Sequence, residues 1–316
     1  MFENDTWRKL AGMDAQSRMG PSLMVKIIIG VGIFVALLLI SFIIVINMDM
    51  EKSSQPERMT QVQQSSGDAV EVENDNIKDL YYYEEDNSTR YIAYKAEHTD
   101  LPVQDVVWRV NANLDEAFYT NLKLVTNPTA IPVLVNKHYS LPEDFEPADL
   151  VDVEGGRQLV SKAYAAFKNL KSDSADDGMK IALTSGYRSI DAQEKLYERY
   201  VQERNGDVAK VDQTTARPGC SEHNTGLAID LVGPNGVMEN FGDDEESVWV
   251  SENAWKYGFI VRYTKENVEI TGYSPEPWHI TYVGKAAAKV IHDRKLSSLE
   301  EYFVKYVWHK PPTEEE

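Results

Sequence analysis

The stretch Ser221-Glu222-His223-Asn224-Thr225-Gly226-Leu227-Ala228-Ile229-Asp230, taken with Glu276-Pro277-Trp278-His279, decides the reading of this chain. The two segments offer two imidazoles and a carboxylate as ligands, with a spare carboxylate three residues before the last imidazole. Three protein ligands, an open position and a general base are what a hydrolytic zinc site needs. The turn formers Pro218 and Gly219 precede His223, and Gly226 lets the backbone bend before an apolar run begins. As a strand, Leu227 to Val232 places Ala228 and Asp230 on one face and Leu227, Ile229 and Leu231 on the other. A lone carboxylate so flanked is costly to bury, and a metal removes that cost. Taken by themselves, His223 and Asp230 read more readily as a buried hydrogen-bonded pair, and only the blocks together turn the reading to ligation.

Pro275 and Pro277 flank Glu276 and exclude a helix there. The residue before a proline is pushed into an extended conformation. Glu276 is therefore expected on an extended approach to the strand that holds His279, beside the metal without ligating it. Its task there is to move a proton between the attacking water and the leaving amine. Trp278 points away from His279 and packs the ligand strand in place. Arg188 ends a strand at Tyr187-Arg188 and offers forked donors to a carboxylate or a developing oxyanion.

The His-x6-Asp and Glu-x-x-His pattern resembles the D-alanyl-D-alanine carboxypeptidases of bacterial cell walls, the vancomycin-resistance type. These are similar to a wider zinc-peptidase group with lysostaphin-like enzymes and hedgehog domains. The signature Ser-x-His-x-x-Gly-x-x-x-Asp is complete at 221–230, and Glu-Pro-Trp-His continues as Ile280-Thr281-Tyr282-Val283-Gly284. Ser185-Gly186-Tyr187-Arg188-Ser189 matches the arginine-bearing strand end, and the resemblance runs from Val133 to Tyr306. It implies zinc on His223, Asp230 and His279, Glu276 as base, and Arg188 stabilising the tetrahedral intermediate. It implies Ser221 and Tyr187 as substrate contacts, with Ser185 and Gln193 as further ones. The implied partners are peptidoglycan stem peptides losing a C-terminal D-alanine, with D,D-cleavage favoured over L,D-cleavage. Peptidoglycan endopeptidase activity and a non-catalytic wall-binding ectodomain are the alternatives. Two departures stand out: Thr281 where members often carry arginine, and Lys265-Glu266-Asn267 where they often carry a Gly-Lys pair.

The chain has 316 residues, 42% of them hydrophobic, and a formal net charge of -19. Nucleic acid is excluded as a partner, because phosphate binding needs a basic face. Cys220 is the only cysteine, so no internal disulfide forms; a small semi-buried side chain is its expected role. Ile27 to Ile46 is uncharged, and about 20 apolar residues span a bilayer as a helix. Arg8, Lys9, Arg18 and Lys26 precede this run, while Asp49, Glu51 and Glu57 follow it. The positive-inside tendency then keeps the N-terminus in the cytoplasm. The expected order is a cytoplasmic tail (1–26), a transmembrane helix (27–47), a flexible linker (48–89) and an extracytoplasmic zinc carboxypeptidase domain (90–316) on a bacterial cell membrane.

Within that domain the pattern predicts an edge strand at Ile131 to Val135 and a helix from Arg157 to Leu170. Further strands are expected at Lys180 to Thr184, Leu227 to Val232, Phe259 to Tyr263 and Trp278 to Val283. Ser189 caps a helix with Ala192, Leu196, Tyr197, Tyr200 and Val201 inside. Helices at Lys285 to Arg294 and Ser297 to Val307 close the chain. Strands and helices without regular alternation predict an α+β fold: a small, mainly antiparallel sheet flanked by helices. His98, His138, His292 and His309 fall outside any ligand spacing.

Overall fold

Among the residues that the computed structural model describes, 77–312, eight strands form. A two-residue parallel pair comes first, Lys123–Leu124 (β1) with Tyr139–Ser140 (β2). An antiparallel hairpin follows, Leu150–Val153 (β3) with Arg157–Val160 (β4). The remaining four are Ala182–Ser185 (β5), Ala228–Val232 (β6), Phe259–Tyr263 (β7) and Glu276–Tyr282 (β8). They make one antiparallel sheet in the order β5-β6-β8-β7. This is the expected α+β architecture, with helices around a small antiparallel sheet.

Alternation along β6 decides the two faces. Ile229 and Leu231 join Phe259 and Ile280 in the main core, covered by Phe167 and Leu170 of the Ser161–Asp176 helix and by Trp249 and Val250 of the Glu245–Asn253 helix. Asp230 and Ala228 take the other face, directly opposite His279 and Thr281 of β8. Facing residues on paired strands have side chains about 5 Å apart, so the sheet itself brings two ligands together. Register shifts flank this point on both sides, between Leu183 and Ser185 of β5 and between Val261 and Tyr263 of β7. Bulges of this kind re-aim side chains beside active sites. Here the shift lets Glu276, paired with Tyr263, face the same side as His279 although it is three residues away.

Several expectations need correction. Ile131 to Val135 forms no strand: Pro132 has no N–H for a ladder, and Val133, Leu134 and Val135 are buried as core filling instead. The Arg157–Leu170 helix begins only at Ser161, because a tight turn at Glu154–Gly156 makes Arg157–Val160 the second arm of a hairpin; the helix then runs on to Asp176. Strand β8 starts at Glu276 rather than Trp278, so Glu276, the expected base, lies on the strand and not on its approach. Ser189 does cap its helix, its Oγ accepting from the Ala192 N–H at 3.1 Å. Ala192 is exposed, however, and among that helix's residues only Gln193 is buried, because this face lines a groove.

The expected membrane helix and the linker up to residue 76 lie outside the described residues. Among those described, no helix is long and apolar enough to cross a membrane. Residues 77–89, expected in the linker, are packed on the domain. Tyr82 is 4% exposed, in a cluster with Tyr91, Val107, Trp108 and Val304, and its carbonyl accepts from Asn111 Nδ2 at 2.6 Å. Removing residues 1–89 should therefore destabilise the domain by about 3 kcal/mol relative to removing residues 1–76, the scale of deleting a buried aromatic ring. Urea unfolding of the two truncated proteins checks this, and equal midpoints would place Tyr82 outside the core.

Candidate active site

His223 sits on a 3-10 turn, Glu222–Thr225, that ends at Gly226 in the left-handed region (φ 70°). A Cβ there would meet Leu150 Cδ2 at 3.0 Å and Val160 Cγ2 at 3.2 Å, so glycine is required on two counts. His223 Nδ1 lies 2.8 Å from the Gly186 carbonyl, which only accepts, so Nδ1 carries the proton and Nε2 keeps its lone pair for a metal. Gly186 is held close: a Cβ on it would sit 2.6 Å from the Gln158 carbonyl oxygen. His279 has the opposite arrangement. Its Nε2 lies 3.3 Å from Glu222 Oε2, which leaves Nδ1 free, 3.2 Å from Asp230 Oδ1. Asp230 Oδ2 lies 3.2 Å from His223 Nε2.

Both imidazoles and Asp230 are buried, and their ligand atoms all lie within 4.8 Å of one another. Tetrahedral zinc with bonds of about 2.0–2.1 Å sets its donors about 3.3 Å apart, and each imidazole nitrogen stands on that scale, 3.2 Å from a different Asp230 oxygen. Asp230 Oδ1 is sealed from solvent and makes no hydrogen bond, because the approach from His279 Nδ1 is close but misdirected. A buried carboxylate with one oxygen beside each imidazole, one of those oxygens making no hydrogen bond, fits a metal ligand.

The other polar groups fall into two sets. Arg188 Nη1 donates to Gln193 Oε1 at 2.7 Å and Nη2 to Ser185 Oγ at 3.3 Å, while Gln193 Nε2 donates to the Ala216 carbonyl at 2.7 Å. Ser185 and Gln193 thus hold the arginine by neutral groups. Glu276 Oε2 lies 3.8 Å from His279 Nδ1. A cavity of about 390 Å³ is lined by Arg188, Ser221, His223, Asp230, Glu276 and His279, and extends along Leu196 and Tyr200 of the Ile190–Glu203 helix to Arg204 just past its end. Trp278 also lines it, besides packing against the core. Tyr187 and Ser185 do not line this cavity.

Family comparison agrees with this geometry. The D-alanyl-D-alanine carboxypeptidase (VanY) family model matches residues 156–285. A Bacillus subtilis (strain 168) protein named "Putative carboxypeptidase YodJ" is 44% identical over 196 residues, 58% of this chain and 71% of the relative. The chain belongs to the VanY family. It is a zinc metallopeptidase, with His223, Asp230 and His279 as the residues that fit the metal. Among solved structures it is similar to the LdcB LD-carboxypeptidase (41% identity, TM-score 0.54, covering 58% of this chain and 90% of that one). It is also similar to VanYB in complex with D-alanine-D-alanine (31% identity, TM-score 0.51, covering 56% and 98%).

Sequence reasoning missed the set of residues behind the VanY-family signature. Glu222 is 2% exposed and touches His279, and Arg262, 1% exposed, touches Glu222. Tyr263 packs its ring 4.8 Å from the His279 ring. The signal was present: an arginine inside Phe259-Ile260-Val261-Arg262-Tyr263 is almost never buried without a carboxylate. Cys220 is buried, and burial pushes its thiol up to about 12, which removes it from nucleophilic chemistry.

Protons are held unevenly across the ligand set. Burial lowers His223, which suits a neutral ligand. Burial also opposes charge on His279, yet the carboxylates of Asp230 and Glu222 beside it outweigh burial and raise this imidazole to about 10. Asp230 is held well below the usual range by His223 and His279 despite its burial. Zinc must therefore displace the His279 Nδ1 proton throughout the neutral range. Binding at pH 7.5 should release about one proton, and affinity should fall as pH drops. Titration calorimetry in buffers of different ionisation enthalpy measures this, and a heat independent of buffer would contradict it.

Proposed function

We propose that this protein is a membrane-anchored carboxypeptidase that removes the terminal D-alanine from peptidoglycan stem peptides. The observation that carries the reading is one cavity holding the metal ligands, a proton carrier and an arginine with no carboxylate partner. Bound zinc supplies a Lewis acid and an acidified water. Glu276 takes the proton from the attacking water and hands it to the departing amine. Burial raises its carboxyl to about 7, where both directions of transfer are accessible. Arg188, its charge not cancelled by Gln193 or Ser185, meets the substrate carboxylate or the oxyanion that forms. Ser221 at the cavity wall adds a donor.

The likeness to the LdcB LD-carboxypeptidase at 41% identity favours cleavage of a tetrapeptide, L,D-cleavage. The likeness to VanYB, seen with D-alanine-D-alanine, favours the D,D-cleavage of a pentapeptide expected from the sequence. Mass spectrometry of both stem peptides after digestion separates the two, and we expect the tetrapeptide to be cut faster. An amidated C-terminus should lower kcat/KM by about tenfold or more, because a recognition donor loses its partner. Equal cleavage of free and amidated peptides would instead mark an endopeptidase. Glu276→Gln should retain zinc and lose at least about 100-fold in kcat. In the wild type the acidic limb of kcat/KM should lie between pH 4.5 and 7, since the base works only when ionised and its pKa is raised toward 7 from the ordinary 4.5.

The anchor in this proposal is the uncharged run Ile27 to Ile46, with Met1 inside and the catalytic domain outside. Protease added to intact protoplasts should then degrade the C-terminal domain, and full protection would reverse the orientation.

A further inference from the structure

Behind the zinc ligands runs a buried chain of charged groups that the reaction itself does not use. His279 Nε2 faces Glu222 Oε2 at 3.3 Å, and the same oxygen accepts from Thr281 Oγ1 at 2.5 Å. Glu222 Oε1 accepts from Arg262 Nε at 2.6 Å. The far side of that guanidinium grips Glu300, Nη2 to Oε1 at 2.7 Å and Nη1 to Oε2 at 3.2 Å. Glu300 Oε1 also accepts from Asn136 Nδ2 at 2.9 Å, and Asn136 Oδ1 accepts the backbone N–H groups of His138 and Tyr139. Arg262, Glu222 and Glu300 are each no more than 2% exposed.

Two features give this chain of contacts a direction. A carboxylate only accepts, so Glu222 fixes the His279 proton on Nε2 and leaves Nδ1 as the metal donor. Its ends also come from outside the residues that match the family. Asn136 precedes residue 156, and Glu300 lies on the terminal Leu299–Tyr302 helix, past residue 285. We propose that Glu222, Arg262 and Glu300 are positioning residues through which the C-terminal segment sets the orientation of His279 and thereby the zinc affinity of the site. This stands on the metal site alone and is independent of which stem peptide is cut.

The mechanism is geometric. Arg262 lies between two carboxylates, so its position is the balance of both. Removing the charge of Glu300 lets the guanidinium shift toward Glu222, and the carboxylate that orients the imidazole shifts with it. Removing the charge of Glu222 weakens the acceptor that holds the ring. Both perturbations reach the metal only through His279, so their effects do not add.

The test is zinc affinity of the full-length chain, measured by competition with a chromophoric chelator. Glu222→Gln, nearly isosteric, should weaken zinc binding at least about tenfold, the scale known for outer-shell partners of metal ligands. Glu300→Gln should weaken it about threefold or more, and the double variant should bind no more weakly than Glu222→Gln alone. Folded Glu222→Gln with unchanged zinc affinity would overturn the proposal, as would a double variant whose loss is the product of the single losses. The unmutated protein supplies a second measurement that does not depend on variants folding. Nitrogen-15 histidine spectra of the zinc-loaded chain should show one imidazole metallated at Nδ1 with a protected Nε2 proton, His279, and one metallated at Nε2, His223. Two imidazoles both metallated at Nε2 would rule the positioning role out.

Discussion

Asp230 is the constraint on which the site depends. Its carboxylate is buried between two imidazoles, and one oxygen has no hydrogen bond. Leaving an ionised carboxylate without a partner in a protein interior costs several kcal/mol, more than ordinary packing around it returns. The fold does not avoid this cost by exposing the residue. Strand β6 commits Ile229 and Leu231 to the core, and the pleat then leaves Asp230 nowhere to point except at His279 on the neighbouring strand. The metal site follows from strand alternation and antiparallel register together, and a one-residue slip of β6 against β8 would destroy ligand set and core at once.

The rest of the site is placed by departures from regular structure. Shifts of register on both outer strands bring Ser185 level with Asp230 and Glu276 level with Tyr263. Gly186 lets the backbone pass close to β4, and its carbonyl then fixes the His223 tautomer. Lys137, 2% exposed, ties the Asp212 and Gly272 carbonyls at 2.6 and 2.5 Å and packs 4.0 Å from the Tyr273 ring, which steadies the turn leading into Glu276. Burial lowers this amine to about 8, so its charge is retained at neutral pH by the carbonyls and ring around it.

The ligands were legible in the sequence because their chemistry forces a local pattern: His and Asp at a turn-to-strand junction, and Glu and His three apart on one strand. The four sheet strands were legible for the same reason, each being a short apolar run beside a turn. What the sequence hid is long-range. Glu222 was visible as a residue but not as a partner, since Arg262 and Glu300 are 40 and 78 positions away along the chain. The Ile131 to Val135 run shows the opposite failure. Its apolar composition signals burial correctly, but composition cannot say whether a partner strand lies alongside, and among the described residues none does. Arg157 to Leu170 has a helical stripe that continues past the true boundary because β4 and the following helix bury the same side of the chain, Leu159 with Ala163, Ala166 and Phe167.

Arg262 and Arg188 show how neighbours, not residue type, assign the role. Arg262 carries two carboxylates on its guanidinium, Glu222 and Glu300, so its charge is spent inside the protein and it acts as a strut. Arg188 is half-buried, and burial lowers its affinity for its proton, yet its hydrogen-bond partners are an amide and a hydroxyl. Neutral groups can aim a guanidinium without cancelling its field. A carboxylate in place of Gln193 would hold Arg188 more tightly and at the same time compete with any anion arriving in the cavity. Orientation by neutral acceptors is therefore what leaves Arg188 able to meet a charge that comes with the substrate or develops during its cleavage, while Arg262, with the same side chain a few strands away, serves only the metal ligand behind it.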